Sequence, residues 1–561
     1  MVSVILRKKR LGYIPGPPGK RNVHHMKSHF IFMDDFKGLT STESSLKAII
    51  DISTEILEEI GLEIGLDKCA VLKVNKGKII QMDGIDLSVG GIIQSVDINS
   101  SYSYLGIMEL LDPCHSDVKE EIISKMTKVA NIVWGSELDE KNKVDAHNML
   151  VVSKLTYSFG IINWTQSELD DINRKLRKCI SKYNCLNIHS NTNRLYLARK
   201  NGGRGLINIH HLFNRAIVSL VGYIFNANSE HAKLIKEYWV CKKKGTLLKK
   251  AEDIIENLKL NISFTANGMK KDGNVIHHKM VGSIMKKEYQ KEYATWIQNN
   301  LHGKIIKRCI DDKMLTYESF KWLKHAKLRG PAVSTLFAIQ EQVIPTRVIK
   351  KRIWKNINVV SEKCRMCNDQ LETVSHVISG CSILANNLYK IRHDNVVRVV
   401  YYYLLHKLGF AETWQPWYDM SNVEPVKEND QCTIYWDYPL QTNNAIMCNK
   451  PDIVVIYKKC DAILIIEGSV PWDENLAAKV MEKRNKYIPL GIELKNLYAK
   501  SSYTVCEIVI GSTGLVNDSL RSAISKLCDD SNDINKIINF CQKAAILGTV
   551  RICRQLFDSI I

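Results

Sequence analysis

The sequence predicts a multidomain α+β protein, on three observations. Its 561 residues leave room for three to five units at roughly 100–200 residues each. The hydrophobic pattern changes character twice: strand, turn and helix up to about residue 112, helical periodicity from about 115 to 350, and short β-rich runs from about 430. Hydrophobic residues make up 45% of the chain, which excludes global disorder.

The elements follow in order. Gly12, Pro15, Gly16, Pro17, Pro18 and Gly19 form a turn-rich ribbon. Ser28 to Met33 reads as an apolar strand, Asp34-Asp35 interrupts it and Phe36 resumes it, which predicts a hairpin with two carboxylates at its tip. Leu46, Ile49, Ile50, Ile56, Leu57 and Ile60 predict a helix over 44–60. Cys69 to Ile80 is strand-like with a turn near Asn75-Lys76-Gly77, and Tyr104 to Ile107 is another short strand. In the helical stretch, Leu176, Cys179 and Ile180 share a face that leaves Arg174, Lys175, Arg177 and Lys178 outside it. Gly202-Gly203-Arg204-Gly205 is a flexible break. Ile453 to Tyr457, Ala462 to Ile466, a helix at about 475–487 and a strand from Val505 to Ile510 form an α/β unit, and 518–561 reads as two helices.

The net charge of +19 is clustered. Residues 172–205 hold nine Lys/Arg and no acid, 321–356 hold nine with Glu341 as the one acid, and 1–33 hold seven and no acid. Such clusters are the electrostatic footprint of nucleic-acid binding, so DNA and RNA are the expected partners and a membrane is not. No apolar run approaches the ~18 residues of a membrane helix. The four basic residues from Arg7 to Arg10 follow a very short apolar stretch, the wrong order for a secretory signal. An intracellular protein is expected, its sixteen cysteines mostly reduced core thiols.

One cysteine group differs. Cys364-x2-Cys367-x8-His376-x4-Cys381 offers three thiolates and an imidazole, a set that satisfies tetrahedral zinc in a structural role. Beside it, the run from Arg347 through Lys350, Lys351 and Arg352 to Lys355 interleaves basic and apolar residues and could grip a phosphate backbone.

Two acid pairs carry possible catalysis. Asp34-Asp35 at a tight turn could hold a divalent ion. Asp452 opens one strand and Glu467 closes the next, so a hairpin would bring both carboxylates to a Mg²⁺ ion against a phosphate. The usual restriction-fold lysine two residues after the second acid is absent, since Ser469 stands there. Lys479, Lys483 and Tyr487 instead recur at helical spacing on the next helix. Asp473 reads as a helix N-cap or an accessory acid.

These motifs resemble non-LTR retrotransposon polyproteins from about residue 11 to 515. Phe32-Met33-Asp34-Asp35, the following helix and Gly61 to Cys69 resemble the catalytic palm of their reverse transcriptases, and Tyr104-Leu105-Gly106-Ile107 looks like a later palm strand. Tyr157 to Gly160, Ile162 to Thr165 and Arg194 to Leu197, leading into Gly202 to Leu206, look like the thumb, where Arg174, Lys175, Arg177, Lys178 and Arg204 would hold template and primer. The Cys-Cys-His-Cys knuckle and Arg392-His393-Asp394-Asn395 match the same elements. Asp452, Glu467 before Val470-Pro471, Lys483 and Tyr487 are similar to the C-terminal restriction-like endonuclease of one retrotransposon class, with Glu467 replacing the more usual aspartate.

The resemblance implies a partial palm over 1–112, a thumb over 113–205, a basic helical linker over 206–356, a zinc knuckle over 357–400, an endonuclease over 401–517 and terminal helices over 518–561. It further implies nicking of chromosomal DNA in the nucleus. Palm polymerases need another aspartate on an earlier strand, and residues 1–33 contain no acid, so independent DNA synthesis is not expected. The competing expectation is a non-catalytic DNA- or RNA-binding remnant, and a third is a structural protein adopted by its host.

Overall fold

Short hairpins with left-handed turn residues recur between helices in the first 110 positions. The computed structural model describes residues 2–557 apart from 15–25, 34, 89, 97–100, 110–113, 243, 312–315 and 420–422. The ribbon from Pro15 to Gly19 and the candidate acid Asp34 therefore lie outside the described residues. Strands β1 (His29–Phe32) and β2 (Asp35–Gly38) pair antiparallel with Phe32 opposite Asp35, leaving a two-residue loop that starts at Met33, φ +56°. The helix α1 (Glu43–Glu59) starts at Thr42, whose hydroxyl accepts the Ser45 N–H at 3.2 Å. Strands β3 (Lys73–Asn75) and β4 (Lys78–Ile80) turn at Lys76-Gly77 as expected, both residues having positive φ.

Strands β5 (Ile85–Asp86) and β6 (Ile92–Ile93) form another pair, and β7 (Tyr102–Tyr104) and β8 (Ile107–Glu109) a fourth. The strand expected over 104–107 is instead a hairpin turn, because Leu105 and Gly106 both adopt positive φ and reverse the chain. Among the described residues these strands form two-stranded sheets, with no larger palm-like sheet joining them.

The helical stretch contains α2 (His115–Gly135), α3 (Gln166–Lys182) and α4 (Ile209–Asn226), interrupted by an unanticipated three-stranded meander: β9 (Ile262–Thr265), β10 (Gly268–Lys271) and β11 (Asn274–Val275). The chain divides into two compact units, neither a continuous stretch. The first comprises Met1–Val129, Val151–Asn173 and Ile209–Glu288; the second comprises Ala130–Leu150, Arg174–Asn208 and Tyr289–Ile561. In the first unit Phe159 meets Phe213 edge-on with centroids 5.2 Å apart, and the buried Trp164 indole donates to Ser158 Oγ at 2.9 Å.

The second unit carries the knuckle residues and the acid pair Asp452 and Glu467. It contains α5 (Gly330–Gln340), α6 (Val374–Ser379), α7 (Lys390–Lys407) and a five-stranded sheet with its covering helices. The strands β12 (Val426–Glu428), β13 (Cys432–Trp436), β14 (Ile453–Tyr457), β15 (Ala462–Ser469) and β16 (Ser502–Val509) lie in that order. All pairs are antiparallel except β15 and β16, which are parallel and so need a crossover. The crossover is α8 (Leu476–Lys486) followed by α9 (Ile488–Leu497), with Pro489 in the first turn of α9. The predicted strand–strand–helix–strand unit is therefore present.

Alternation decides which face meets which helices. Ile453, Val455, Leu464, Ile466, Cys506 and Ile508 pack with α7, α10 (Asp518–Ser525) and α11 (Ser531–Phe557). Val454, Ile456, Ile463 and Ile465 pack with Tyr487, Leu490 and Leu494 on the other side. No helix among the described residues is long and apolar enough to cross a membrane.

Candidate metal centre and candidate nuclease site

The four knuckle residues converge. A bridge between Lys363 and Leu371 closes a small loop, and the Asn368 N–H returns to the Cys364 carbonyl at 2.9 Å with Asn368 at φ +52°. This turn sets Cys364 and Cys367 side by side. Thr373 caps α6 and accepts the His376 N–H at 3.1 Å, a cap interaction of about 1 kcal/mol that also orients the ligand histidine.

All four ligand atoms lie within 4.8 Å of one another. Cys364 Sγ and Cys381 Sγ are 3.9 Å apart, and Cys367 Sγ is 3.4 Å from His376 Nε2. A tetrahedral ion with Zn–S bonds of about 2.3 Å and Zn–N bonds of about 2.0 Å sets edges near 3.8 Å and 3.5 Å. The cluster therefore fits a metal such as zinc. Gln370 Oε1, 3.1 Å from His376 Nδ1, leaves Nε2 for the metal. Burial pushes the Cys364 thiol up to about 11, whereas the Asp369 and Gln370 N–H groups lower that of Cys367.

Behind the knuckle, Glu372 is fully buried and accepts from Arg365 Nε at 2.9 Å, Arg365 Nη2 at 2.7 Å and the Arg347 N–H at 2.8 Å. Burial raises its carboxyl, but these donors outweigh burial and hold it below the usual range. Arg365 also reaches the Leu556 carbonyl at 3.2 Å near the end of α11.

The acid pair of the sheet converges as well. The Asp452 N–H donates to Glu467 Oε2 at 3.3 Å, and the Gly468 N–H donates to Asp452 Oδ2 at 2.6 Å. Lys483 Nζ approaches Glu467 Oε1 at 2.6 Å and Lys486 Nζ the same oxygen at 3.3 Å. Tyr487 is buried, with its hydroxyl donating to the Lys450 carbonyl at 3.0 Å; burial, reinforced by Glu467 and Asp452, pushes its phenol up. Lys479, expected on the same face, instead pairs with Glu482 at 2.7 Å near the surface.

His393 is the main residue the sequence reading left out of the site. Its Nε2 lies 3.2 Å from Asp452 Oδ2 and its Nδ1 lies 3.0 Å from Asp394 Oδ1. Burial would lower its pKa, but the two carboxylates outweigh this and push it up to about 10. Burial likewise raises Asp452, while His393, the Gly468 N–H and Lys483 hold it below the usual carboxylate range. Gly468 permits this approach: a Cβ there would lie 2.4 Å from Val397 Cγ2 of α7. The preceding Arg392 is buried and bonds Thr549 Oγ1 of α11 at 2.9 Å and the Val470 carbonyl at 3.2 Å. The Arg392-His393-Asp394-Asn395 pattern signalled this segment, but only the α7 packing brings it to the acids.

Asp473 is neither the helix cap nor a site acid. It is buried, accepts the Thr513 N–H at 3.2 Å, and burial pushes its carboxyl up to about 7 against the Thr513 donors and Arg392.

The expected nucleic-acid contacts divide by exposure. Arg174, Lys175 and Lys178 are exposed on α3, while Leu176 and Ile180 are buried on its other face. Arg177 is half-buried and donates to Tyr196 Oη at 2.9 Å. Arg204, expected to hold template and primer, is instead buried, its Nε 2.7 Å from Glu140 Oε1 and its Nη1 bonded to the Cys185 carbonyl at 2.5 Å. Its two-sided partners make it part of the core, out of reach of a phosphate. Beside the knuckle, Lys350 is half-buried and Lys351 is exposed, donating to the Val360 carbonyl at 3.1 Å. Arg352 is exposed and pairs with Glu362, and Arg347 donates to the Lys363 carbonyl at 2.9 Å. Asp35 is exposed on β2.

No protein-family model matches this chain, and no curated protein matches it.

Proposed function

We propose that this chain is a nucleic-acid-binding retroelement protein whose C-terminal sheet is a divalent-metal-dependent DNA endonuclease. The observation that carries the reading is the meeting of Asp452 and Glu467 from adjacent strands with Lys483 2.6 Å from Glu467. Two carboxylates and a lysine at one strand end are the groups that phosphodiester hydrolysis needs. The donor set is hard oxygen, which suits Mg²⁺. Bound between the two acids, Mg²⁺ would supply charge stabilisation at the scissile phosphate.

The chain's own residues have distinct tasks. Asp452 and Glu467 present the oxygens, and His393 and the Gly468 N–H fix Asp452. Lys483 is placed to orient the attacking water or to offset the charge that develops on phosphate. In the reaction the water oxygen bonds phosphorus, the P–O3′ bond breaks, and one water proton ends on the 3′ oxygen. The exposed Arg174, Lys175 and Lys178, with Lys350, Lys351 and Arg352 by the knuckle, would hold DNA or RNA backbone. A chromosomal target would place the protein in the nucleus. The knuckle would hold zinc in a structural role.

A nicking assay on supercoiled DNA with Mg²⁺ tests this. Wild type is expected to nick and Asp452→Ala to lose nicking; equal nicking by both excludes the site. One observation favours a second reading, non-catalytic binding: Glu467 is covered by two lysines and Asp452 by His393, so both acids are already neutralised. DNA binding with no metal-dependent nicking selects it.

A further inference from the structure

Glu507 lies in line with the two acids. Ile453 pairs with Ile466 in the antiparallel register, so the next pair outward is Asp452 and Glu467. On the other side of β15, Glu467 is paired in parallel register with Glu507 of β16. Three carboxylates therefore cross three adjacent strands at one end of the sheet. Glu467 and Glu507 share a face, because Ile463 and Ile465, at period two from Glu467, and Tyr503 and Val505, at period two from Glu507, pack with Tyr487 and Leu490, whereas Asp452 bonds His393 of α7 on the other side. Neighbouring strands lie about 4.7–4.9 Å apart, so Glu467 and Glu507 are backbone neighbours across β15 and β16.

The Glu507 side chain is 2% exposed, yet only half of it is satisfied. Oε1 takes Arg484 Nε at 3.0 Å and Arg484 Nη2. Oε2 is buried with no hydrogen-bond partner among the described residues. A buried, unpaired carboxylate oxygen is costly, and an apolar residue here would be cheaper than a half-satisfied ion pair. The compensating Arg484 is 48% exposed, unlike Lys483 at 14%, so it is the cation with room to leave. Two-metal hydrolytic sites place their ions about 3.5–4 Å apart, which a central Glu467 could bridge.

We propose that Glu507 is a third metal-binding carboxylate of the nuclease site, sharing a second divalent cation with Glu467. The inference rests on the nuclease reading of Asp452 and Glu467.

The test is an Mn²⁺ titration of the full-length, zinc-loaded chain, followed by electron paramagnetic resonance and run beside the nicking assay. Wild type should take up two Mn²⁺ and Glu507→Gln one. Nicking by Glu507→Gln should fall about 100-fold or more, at a melting temperature matching wild type. Arg484→Gln should keep both ions. An unchanged Mn²⁺ count in Glu507→Gln, or a single ion in wild type, overturns the proposal whatever the activity. Loss of one ion on Glu507→Gln when wild type does not nick supports the carboxylate role while removing the nuclease reading. If Glu507→Gln loses its fold, Glu507→Asp decides: affinity for the second ion weakened at least about tenfold supports the site, and unchanged affinity overturns it.

Discussion

Lys483 Nζ lies 2.6 Å from Glu467 Oε1, although Glu467 lies on β15 and Lys483 sits on the crossover helix. This pairing supplies a lysine at the strand end where Ser469 occupies the usual position. Lys483→Ala should lower nicking about 10²–10³-fold, the range seen when one charge-stabilising donor is removed. The fold should survive, since Lys486 still reaches Glu467 at 3.3 Å. Near-wild-type turnover by this variant would remove Lys483 from the reaction.

The knuckle should carry one zinc per chain, measured by plasma emission spectrometry on the purified protein. Cys381→Ser should lower the zinc content well below one and reduce the melting temperature, because Cys381 is buried against Cys364 at 3.9 Å. A metal-free wild type with an unchanged melting temperature would dismiss the site.

Asp473 should make stability depend on pH. Its folded pKa of about 7 lies above the unfolded value near 3.9, because burial favours the protonated form. The unfolded chain therefore releases this proton first, and stability falls as pH rises from about 4 to 7. Asp473→Asn should gain stability relative to wild type across that window. Urea titrations at the two ends of the window check it, and parallel pH profiles for both proteins would refute it.

Arg204 and Lys175 should separate stability from binding. Arg204→Ala should cost about 3–5 kcal/mol, because it leaves the buried Glu140 without its cation. Lys175→Ala should change stability by no more than about 0.5 kcal/mol and reduce the salt slope of DNA binding by about one. Denaturation curves and fluorescence anisotropy at several salt concentrations read the two effects. An Arg204→Ala protein of normal stability would show that the pair carries no structural weight.

Much of the second unit was legible because it follows local rules. The continuous apolar runs Ile453–Tyr457 and Ala462–Ile466, and the lysines at helical spacing before Pro489, predict strands and a helix within three residues of those found. The knuckle was legible from ligand spacing alone. The first hundred residues were less so. Tyr104 to Ile107 reads as a strand because its residues favour extended structure, yet the positive φ at Leu105 and Gly106 turns it into a hairpin tip.

The sequence by itself determined the element types of the C-terminal sheet and its crossover helix, the Cys364/Cys367/His376/Cys381 set, and the outward face of Arg174, Lys175 and Lys178, because period and spacing are local properties of the chain. Only the tertiary structure decided that Arg204 is a core ion pair, that Asp473 serves Thr513, that His393 holds Asp452 and that Glu507 stands beside Glu467. Each of these depends on strand register or helix packing between residues far apart in the chain.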